Sequence, residues 1–319
     1  MPELPEVETI RRGLIQSILG RKIEKVIIRN PRLRWPIAED LADDVPGHTV
    51  KGISRRGKYL LFHLTQEVHA KVEPYRITRQ KHAKRRNLHV VNEHSEHVFN
   101  AVRGYETTVA YSSQETVILH LGMSGSLRVV PVTVVPEKHD HVDLVFDGGD
   151  CLRFRDPRRF GAIFKTSADP LTHPLLADLG PEPLGDTFSG EWLFKVSRNR
   201  RVAVKAFLME GKVVVGLGNI YANEALFRAA ILPSRPAGSI SLPEYDTLAE
   251  AIRQTLQEAV DSGGTTLRDF FHSDGEPGYF RQRLCVYGRT GEPCPQCGRP
   301  IEQQRICQRS SFFCSHCQR

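Results

Sequence analysis

The sequence has no long apolar run, and its start is not typical of a secretory leader. No stretch of the 319-residue chain approaches the ~18 consecutive apolar residues of a membrane-spanning helix. Its first residues are acidic, where a leader has a basic region followed by an apolar one. We therefore expect a cytoplasmic protein with no membrane partner, associated with the nucleoid if it binds DNA.

Cysteine is scarce and unevenly placed, which argues against a disulfide framework. The chain has seven cysteines, an odd number, and four of them form two CxxC pairs near the end: Cys294 with Cys297, and Cys314 with Cys317. This spacing is typical of a tetrahedral zinc site in a cytosolic chain. Because cysteine fills all four positions, no place is left for a catalytic water, and we expect the zinc to be structural. Three further cysteines have no partner spacing and are expected to be ordinary thiols: Cys151, Cys285 and Cys307.

The charge balance is basic. The chain has 44 Lys and Arg against 37 Asp and Glu, a net charge of +7 at pH 7. Excess positive charge favours polyanions through steering and counterion release. Hydrophobic content of 40% and charged content of 25% are ordinary for a globular chain, whose length here allows two or three domains. Nucleic acid is therefore the first partner to consider.

The apolar pattern changes along the chain. Apolar residues at helical spacing follow Pro5, ending before Gly20, and predict a first helix. Short β-rich runs then continue to about residue 165, including a hairpin across the DGGD turn, and predict an antiparallel β-sandwich. Four prolines indicate a linker, and apolar residues recurring every fourth position from Leu248 to Val260 predict a helical domain. The predicted parts are a sandwich over 1–165, a linker over 166–186, a helical domain over 187–287 and a zinc finger over 288–319.

Residues 66–111 do not fit the β pattern. They carry eight Lys and Arg, five Glu and five of the 13 histidines. The histidines keep no fixed spacing and have no cysteine among them, so a metal site is disfavoured. We interpret the segment as an inserted basic loop, either a protruding hairpin or a disordered stretch.

The chain opens MPELPEVETI, and this start has two interpretations. The plain one is a helix whose first turn is rigid and acidic. The chemical one begins with loss of Met1, which a small second residue permits. That loss exposes the secondary amine of Pro2 beside the carboxylate of Glu3.

Other residues on turns also have two interpretations. Lys58, after two arginines, is either a solvated residue at a strand edge or a functional amine. Met123 lies between glycines, and Arg158 and Phe160 follow an Asp-Pro turn. Exposed turns of this kind suit wedging into a base stack, although a methionine is more often a core filler. Asn219 follows a glycine-rich turn at a helix start, where backbone N–H groups suit a phosphate.

These motifs occur together in one order: MPELPEVET, RRGKYLL, HLGMSGSL, EKHDHVDLV, DPRRFG, VGLGNIYANEALF, GGTTLRDFFHSDGEPGYF and a Cys₄ tail with QRSSFFC. Outside 66–111, the chain resembles the formamidopyrimidine-DNA glycosylase family, bacterial enzymes that excise 8-oxoguanine and ring-opened purines. The resemblance implies a β-sandwich led by a helix, a helix–two-turn–helix domain and a zinc finger with one structural Zn²⁺. It also implies a monomer that binds double-stranded DNA in the cleft between these three parts. That DNA would contain an oxidised purine or an abasic site.

The resemblance also implies roles for single residues. Pro2 would be the Schiff-base nucleophile and Glu3 the proton donor for base loss, with Glu6 supporting the site. Lys58 would be the proton donor of β-elimination, and Arg309 that of δ-elimination. The implied DNA contacts are His139, Arg158, Arg200, Lys205 and Asn219, with Met123, Arg158 and Phe160 filling the gap left by the flipped nucleotide. Residues 264–280 would cover the flipped base.

Two alternatives stay open on the sequence. A sister class of glycosylases that removes oxidised pyrimidines resembles this chain but starts MPEGPE and lacks the Met, Arg and Phe set. LPEVET and DPRRF argue against that class. A non-catalytic DNA-damage-binding protein with a zinc finger is the second alternative. The joint presence of Pro2, Glu3, Lys58 and Arg309 favours catalysis, because binding alone requires none of the first three.

Overall fold

The structure is a computed structural model that describes residues 2–72, 107–264 and 284–319, with the side chains of 67–72 and 107–113 left out. The helices are α1 Leu4–Ile18, α2 Leu41–Asp44, α3 Gly190–Ser197, α4 Val204–Leu208, α5 Asn219–Arg228 and α6 Leu242–Asp261. The strands are β1 Ile23–Ile28, β2 Thr49–Arg56, β3 Tyr59–Val72, β4 Thr107–His120, β5 Ser126–Pro131, β6 Asp140–Phe146, β7 Asp150–Arg155, β8 Ala162–Thr166, β9 Glu302–Ile306 and β10 Arg309–Phe313. Among these ranges, no helix combines the length and apolar character needed to cross a bilayer.

Helix α1 begins where the sequence predicts. Glu3 is its N-cap, Pro5 lies in the first turn, and the Glu6 carboxylate accepts the Glu3 N–H at 2.8 Å. A carboxylate that reaches back to the cap in this way satisfies a donor that the helix itself leaves free. The apolar face of α1 is buried in the sandwich core. The helix therefore fixes Pro2 and Glu3 just outside its first turn.

Two four-stranded antiparallel sheets form the sandwich, as predicted. Their strand orders are β1-β6-β7-β5 and β2-β3-β4-β8. One apolar cluster joins both sheets to α1 and includes Leu14, Phe62, Val117 and Phe154. The predicted hairpin is β6–β7, whose turn places Gly148 and Gly149 at positive φ. This accords with the DGGD sequence, because glycine adopts that conformation at no steric cost.

The two ends of the 66–111 segment accord with the hairpin interpretation and not with a disordered stretch. Strands β3 and β4 pair without interruption from Tyr59 opposite His120 to Val72 opposite Thr107. Residues 66–72 and 107–111 are therefore strand, because their backbone groups continue the antiparallel ladder beyond the core. The charge-rich composition of the whole segment hid two ends that contain β-branched residues. Residues 73–106 lie outside the described part of the chain.

The proline-rich segment after β8 lies against the sandwich. Leu176 is buried with Leu61 and Ile118. Arg56 donates from Nη2 to the carbonyl oxygens of Leu179 at 2.8 Å and Gly180 at 2.7 Å. These bonds join the segment to the end of β2, so it leads to the helical part with a defined geometry.

Helices α3 to α6 pack around a second core that includes Phe207, Tyr221 and Tyr245. The predicted apolar repeat of α6 is confirmed, since Leu248, Ile252, Leu256 and Val260 are all buried. After α6, Gly263 and Gly264 have positive φ and end the helix.

The last part is the β9–β10 hairpin, which docks on α5. The N–H of Phe312 donates to Asn223 Oδ1 at 2.9 Å. The buried carboxylate of Glu224 accepts the N–H groups of Cys285, Val286 and Tyr287 at 2.7 to 3.0 Å. The hairpin is thereby held against the helix that also contacts α1.

Candidate active site at the junction of the three parts

Glu3 lies at the N-terminus of α5, in another part of the molecule. Its carboxylate accepts the N–H groups of Gly218 and Ile220 at 2.8 Å each and that of Tyr221 at 3.3 Å. A helix N-terminus favours a negative group through its free N–H donors and its dipole. The prediction that these N–H groups receive a phosphate is therefore wrong, because Glu3 takes them.

Burial sets the protonation of Glu3. Its side chain is 2% exposed. Desolvation raises the pKa of Glu3 above its ordinary value, while the charge of Lys58 and the backbone hydrogen bonds act in the opposite direction. A raised pKa keeps a larger share of the group protonated near neutral pH, which is what a general acid requires.

Glu6 connects Glu3 to Tyr221. Besides the Glu3 N–H, the Glu6 carboxylate accepts the Tyr221 hydroxyl at 2.6 Å, and both side chains are buried. The N–H of Leu4 also donates to Gly216 O at 2.9 Å. The peptide that joins Pro2 to Glu3 is thus fixed from the helical domain, and Pro2 is buried there.

Lys58 reaches the same junction from the β2–β3 turn. Its Nζ donates to Leu217 O at 3.0 Å. Burial lowers the pKa of Lys58, and the charges of Glu3 and Glu6 partly offset that effect. The turn is held by Glu182, which accepts the Gly57 N–H at 2.6 Å. The structure therefore brings three of the predicted catalytic residues into one electrostatic group.

Lys205, Asn219 and Arg309 meet at the tip of the β9–β10 hairpin. Lys205 Nζ donates to Ser310 O and to Ser311 Oγ, both at 2.7 Å, and Asn219 Nδ2 donates to Ser310 O at 3.2 Å. Burial and the charge of Arg309 lower the pKa of Lys205 to about 8. Lys205 and Arg309 line a cavity of about 230 Å³. Two basic side chains therefore lie on one cavity at the tip of the hairpin.

The four cysteines of the two CxxC pairs come together behind this tip. Their Sγ atoms all lie within 4.8 Å of one another. The distances are 3.9 Å between Cys294 and Cys317 and 3.5 Å between Cys297 and Cys314. Four thiolates about 2.3 Å from a tetrahedral zinc are about 3.8 Å apart. The cluster therefore fits a tetrahedral metal site.

The predicted wedge residues lie on two adjoining turns. Met123 is 37% exposed and Phe160 is 41% exposed. The Arg158 guanidinium lies over the Phe160 ring, 4.9 Å from its centroid. Gly122 permits the contact between the turns, because a Cβ there would lie 2.4 Å from the Phe160 carbonyl carbon. The structure thus places Met123 on a turn next to that of Arg158 and Phe160, which follow it by 35 and 37 positions in sequence.

Two other predicted DNA contacts lie outside these two turns. Arg200 forms an ion pair with Glu210 in the helical domain. The His139 ring lies 6.4 Å from that of His141. The predicted cover over 264–280 falls outside the described residues, apart from Gly264.

Sequence reasoning missed residues whose contacts are distant. Gly218 has no room for a side chain, since a Cβ would lie 2.4 Å from Glu3 Cδ. His120 is buried beside Lys58 and Arg34, which lowers its pKa to about 4, and its Nδ1 accepts the Gly122 N–H at 2.9 Å. The only available signal was the presence of His120 in HLGMSG and of Gly218 in GLGN. Tyr221 and Asp156 were missed for the same reason.

Family models match the three parts in order. They are the formamidopyrimidine-DNA glycosylase N-terminal domain over residues 1–163, the H2TH domain of the same enzymes over 179–271, and a zinc finger found in FPG and IleRS over 291–319. The protein is therefore of the DNA glycosylase class that has three parts, the last of which is a zinc finger.

Whole-chain relatives agree with the domain matches. The chain is 48% identical to a formamidopyrimidine-DNA glycosylase of Nitrosococcus oceani and 47% identical to one of Alkalilimnicola ehrlichii, each over all of both chains. It resembles the crystal structure of the MutM (Fpg) protein of Thermus thermophilus, with 35% identity, TM-score 0.76 and coverage of 99% and 98% of the two chains. A Lactococcus lactis Fpg complex with abasic-site DNA has 30% identity, TM-score 0.78 and 99% coverage of each chain. The chain belongs to the formamidopyrimidine-DNA glycosylase family of enzymes, and the predicted fold is confirmed.

Proposed function

We propose that this chain is a bifunctional glycosylase and AP lyase that removes oxidised purines, including 8-oxoguanine and formamidopyrimidines, from double-stranded DNA. The observation that carries the proposal is the buried Glu3 carboxyl, next to Pro2 and within the electrostatic reach of Lys58. Solved relatives support the substrate class, since L. lactis Fpg is described with DNA containing Fapy-dG and with DNA containing an abasic site.

The nucleophile is the amine of Pro2 after Met1 is removed. An α-amino group has a pKa of about 7.7–8.0, against about 10.4 for lysine, so much more of it is unprotonated at neutral pH. The nitrogen forms a bond to C1′ as the bond from C1′ to the base breaks. Glu3 donates a proton during base loss and becomes a carboxylate, which the α5 N–H groups stabilise.

Strand cleavage follows from the same amine. A secondary amine on C1′ becomes an iminium cation when the sugar ring is open, and this cation acidifies the C2′ proton. Transfer of that proton to the carboxylate left on Glu3 breaks the C3′–O bond and expels the 3′ phosphate in β-elimination, with Lys58 as proton donor to the leaving group. A second elimination expels the 5′ phosphate, with Arg309 as proton donor. Burial lowers the pKa of Lys58 from its ordinary value, which makes its proton easier to transfer.

The DNA contacts follow the placement of the basic groups. Lys205, Asn219 and Arg309 bind phosphates near the lesion, and His139 and Arg200 bind the strands further away. Met123, Arg158 and Phe160 fill the space of the flipped nucleotide. The chain acts on DNA as a monomer in the cytoplasm.

The zinc is structural. One Zn²⁺ held by Cys294, Cys297, Cys314 and Cys317 fixes the hairpin whose tip bears Arg309, and no ligand position is left for substrate. The proposed division of the chain is the sandwich over 1–165, the linker over 166–186, the helical domain over 187–287 and the zinc finger over 288–319.

The decisive experiment is borohydride trapping on a duplex with 8-oxoguanine opposite cytosine. We expect a covalent adduct and base release from protein whose mass shows that Met1 is absent. Protein that retains Met1 serves as the control, because its Pro2 nitrogen is an amide. Failure of the processed protein to release base or form an adduct would refute the enzyme mechanism.

A second arm uses an oxidised pyrimidine, because L. lactis Fpg is also described with DNA containing one. Faster release of the pyrimidine than of 8-oxoguanine would favour the sister class. Tight binding of damaged DNA without any base release would favour a damage-binding protein.

A further inference from the structure

Asp156 is fully buried between the two turns that bear Met123 and Phe160. One carboxylate oxygen, Oδ1, accepts the Ser124 hydroxyl at 2.7 Å and the Arg158 N–H at 3.3 Å. The other, Oδ2, accepts the Gly161 N–H at 2.7 Å. A single carboxylate therefore bonds to both turns.

The backbone of Asp156 holds a third segment. Its N–H donates to His139 O at 3.0 Å, and its carbonyl oxygen lies 2.8 Å from His141 Nε2. His139 is one of the residues for which we propose a DNA contact. Asp156 is thus bonded to every element of the sandwich that carries a proposed wedge or strand contact.

The two turns have little freedom to move apart. Gly122 packs on the backbone of Phe160 and Gly161, where no Cβ fits. Ser124 Oγ also accepts the Arg158 N–H at 3.2 Å, so the hydroxyl bridges one turn to the other. Buried hydrogen bonds to a carboxylate are stronger than neutral ones, and removal of one partner leaves a costly unpaired group.

We propose that Asp156 is a positioning residue that holds Met123, Arg158 and Phe160 in one register, so that they enter the base stack as a unit. This inference rests on the proposed function. Asp156 acts before base loss, in the step that opens the stack, and it takes no part in proton transfer at Pro2. Its loss therefore affects lesion capture and leaves Schiff-base formation at an existing abasic site intact.

The test uses Ser124→Ala and Asp156→Asn in the full chain. Ser124→Ala removes the hydroxyl that bonds to Asp156 Oδ1 and to the Arg158 N–H, and keeps the Asp156 carboxylate. The matched control is Ser17→Ala, which removes a hydroxyl bonded to Gly13 O on the exposed face of α1. Stack opening is followed by the fluorescence of 2-aminopurine beside the lesion in a duplex. Excision of 8-oxoguanine and trapping at a preformed abasic site are measured on the same proteins.

We expect both variants to slow the fluorescence change and excision roughly tenfold, as for loss of one hydrogen bond to a charged group. Trapping at the abasic site should be unchanged, as should all three rates in Ser17→Ala. Normal fluorescence kinetics in folded variants, or an equal loss in all three assays, would overturn the inference. If Asp156→Asn does not fold, Ser124→Ala decides. If the unmodified protein neither excises nor is trapped, the proposed function fails and this inference falls with it.

Discussion

The carboxylate of Glu3 bonds to the backbone N–H of Gly218, 215 positions further along the chain, at 2.8 Å. This contact joins the first residues of the sandwich to the first turn of α5. The same turn receives Glu6 through Tyr221 and Lys58 through Leu217. The proposed reaction centre is therefore also the seam between two domains, and changes on either side of the seam should alter chemistry.

Gly218→Ala should displace Glu3. The backbone accepts alanine, since φ is −137°, but the added Cβ would lie 2.4 Å from Glu3 Cδ. The nearest atoms all belong to the flexible Glu3 side chain, so that side chain moves. We expect base excision to fall roughly a hundredfold, as for loss of a general acid, measured in single-turnover kinetics. Gly211→Ala is the control, because its Cβ meets Leu179 at an ordinary 3.4 Å. Full activity of Gly218→Ala would contradict the role assigned to Glu3.

Tyr221→Phe should loosen the peptide that joins Pro2 to Glu3 and leave the apolar core of the helical domain intact. The substitution removes the 2.6 Å bond to Glu6 and keeps the ring. We expect roughly tenfold slower trapping at an abasic site, with a stability loss of about 1–3 kcal/mol in urea unfolding. Tyr245→Phe removes a comparable buried bond to Ala237 O within the helical domain. It should cost similar stability and leave trapping unaffected, so an equal trapping loss in both variants would argue against a specific role of Tyr221.

The low pKa of Lys205 predicts a pH dependence of stability. Its pKa is about 8 in the folded chain, against an ordinary 10.5. Between these values the unfolded chain binds more protons than the folded one, so the contribution of Lys205 makes the free energy of unfolding rise with pH. Urea unfolding from pH 7.5 to 10 should show this rise in the unmodified protein and a smaller one in Lys205→Met. Identical slopes in both proteins would show that Lys205 titrates normally.

Loss of zinc should weaken the binding of DNA through the hairpin that bears Arg309. Cys297→Ala removes one thiolate of the cluster, and the hairpin that places Arg309 loses its anchor. We expect less than one bound zinc per chain in a metal assay and weaker binding of lesion DNA. Cys307→Ala is the control, because this exposed thiol lies outside the cluster. Undiminished DNA affinity in zinc-free protein would show that the hairpin does not need the metal.

Local patterns predicted most of the fold. The amphipathic spacing in α1 and α6, the DGGD hairpin and the paired cysteines each depend on neighbours in sequence, and all appear in the structure. The sequence did not decide between a hairpin and a disordered stretch for 66–111, because pairing of β3 with β4 depends on the partner strand and not on either strand alone.

The site was harder to predict than the fold. Motif resemblance predicted the roles of Glu3, Lys58 and Arg309. Gly218, Tyr221 and Asp156 act through contacts that no spacing rule reveals. Tyr221 lies 215 residues from Glu6, and Asp156 bonds to a serine 32 residues away. The first contact forms only when the domains dock and the second only when the sandwich folds, so a single sequence holds no local trace of either.

The burial of Pro2 at a seam made with residues 216–221 also sets an order of events during biosynthesis. The residues of α5 that contact Glu3 are made only after more than 200 further residues, which takes roughly 10 to 40 s at ordinary translation rates. Once α5 docks, Pro2 is buried. We therefore expect an aminopeptidase to reach the N-terminus most easily during synthesis, before the helical domain covers Pro2.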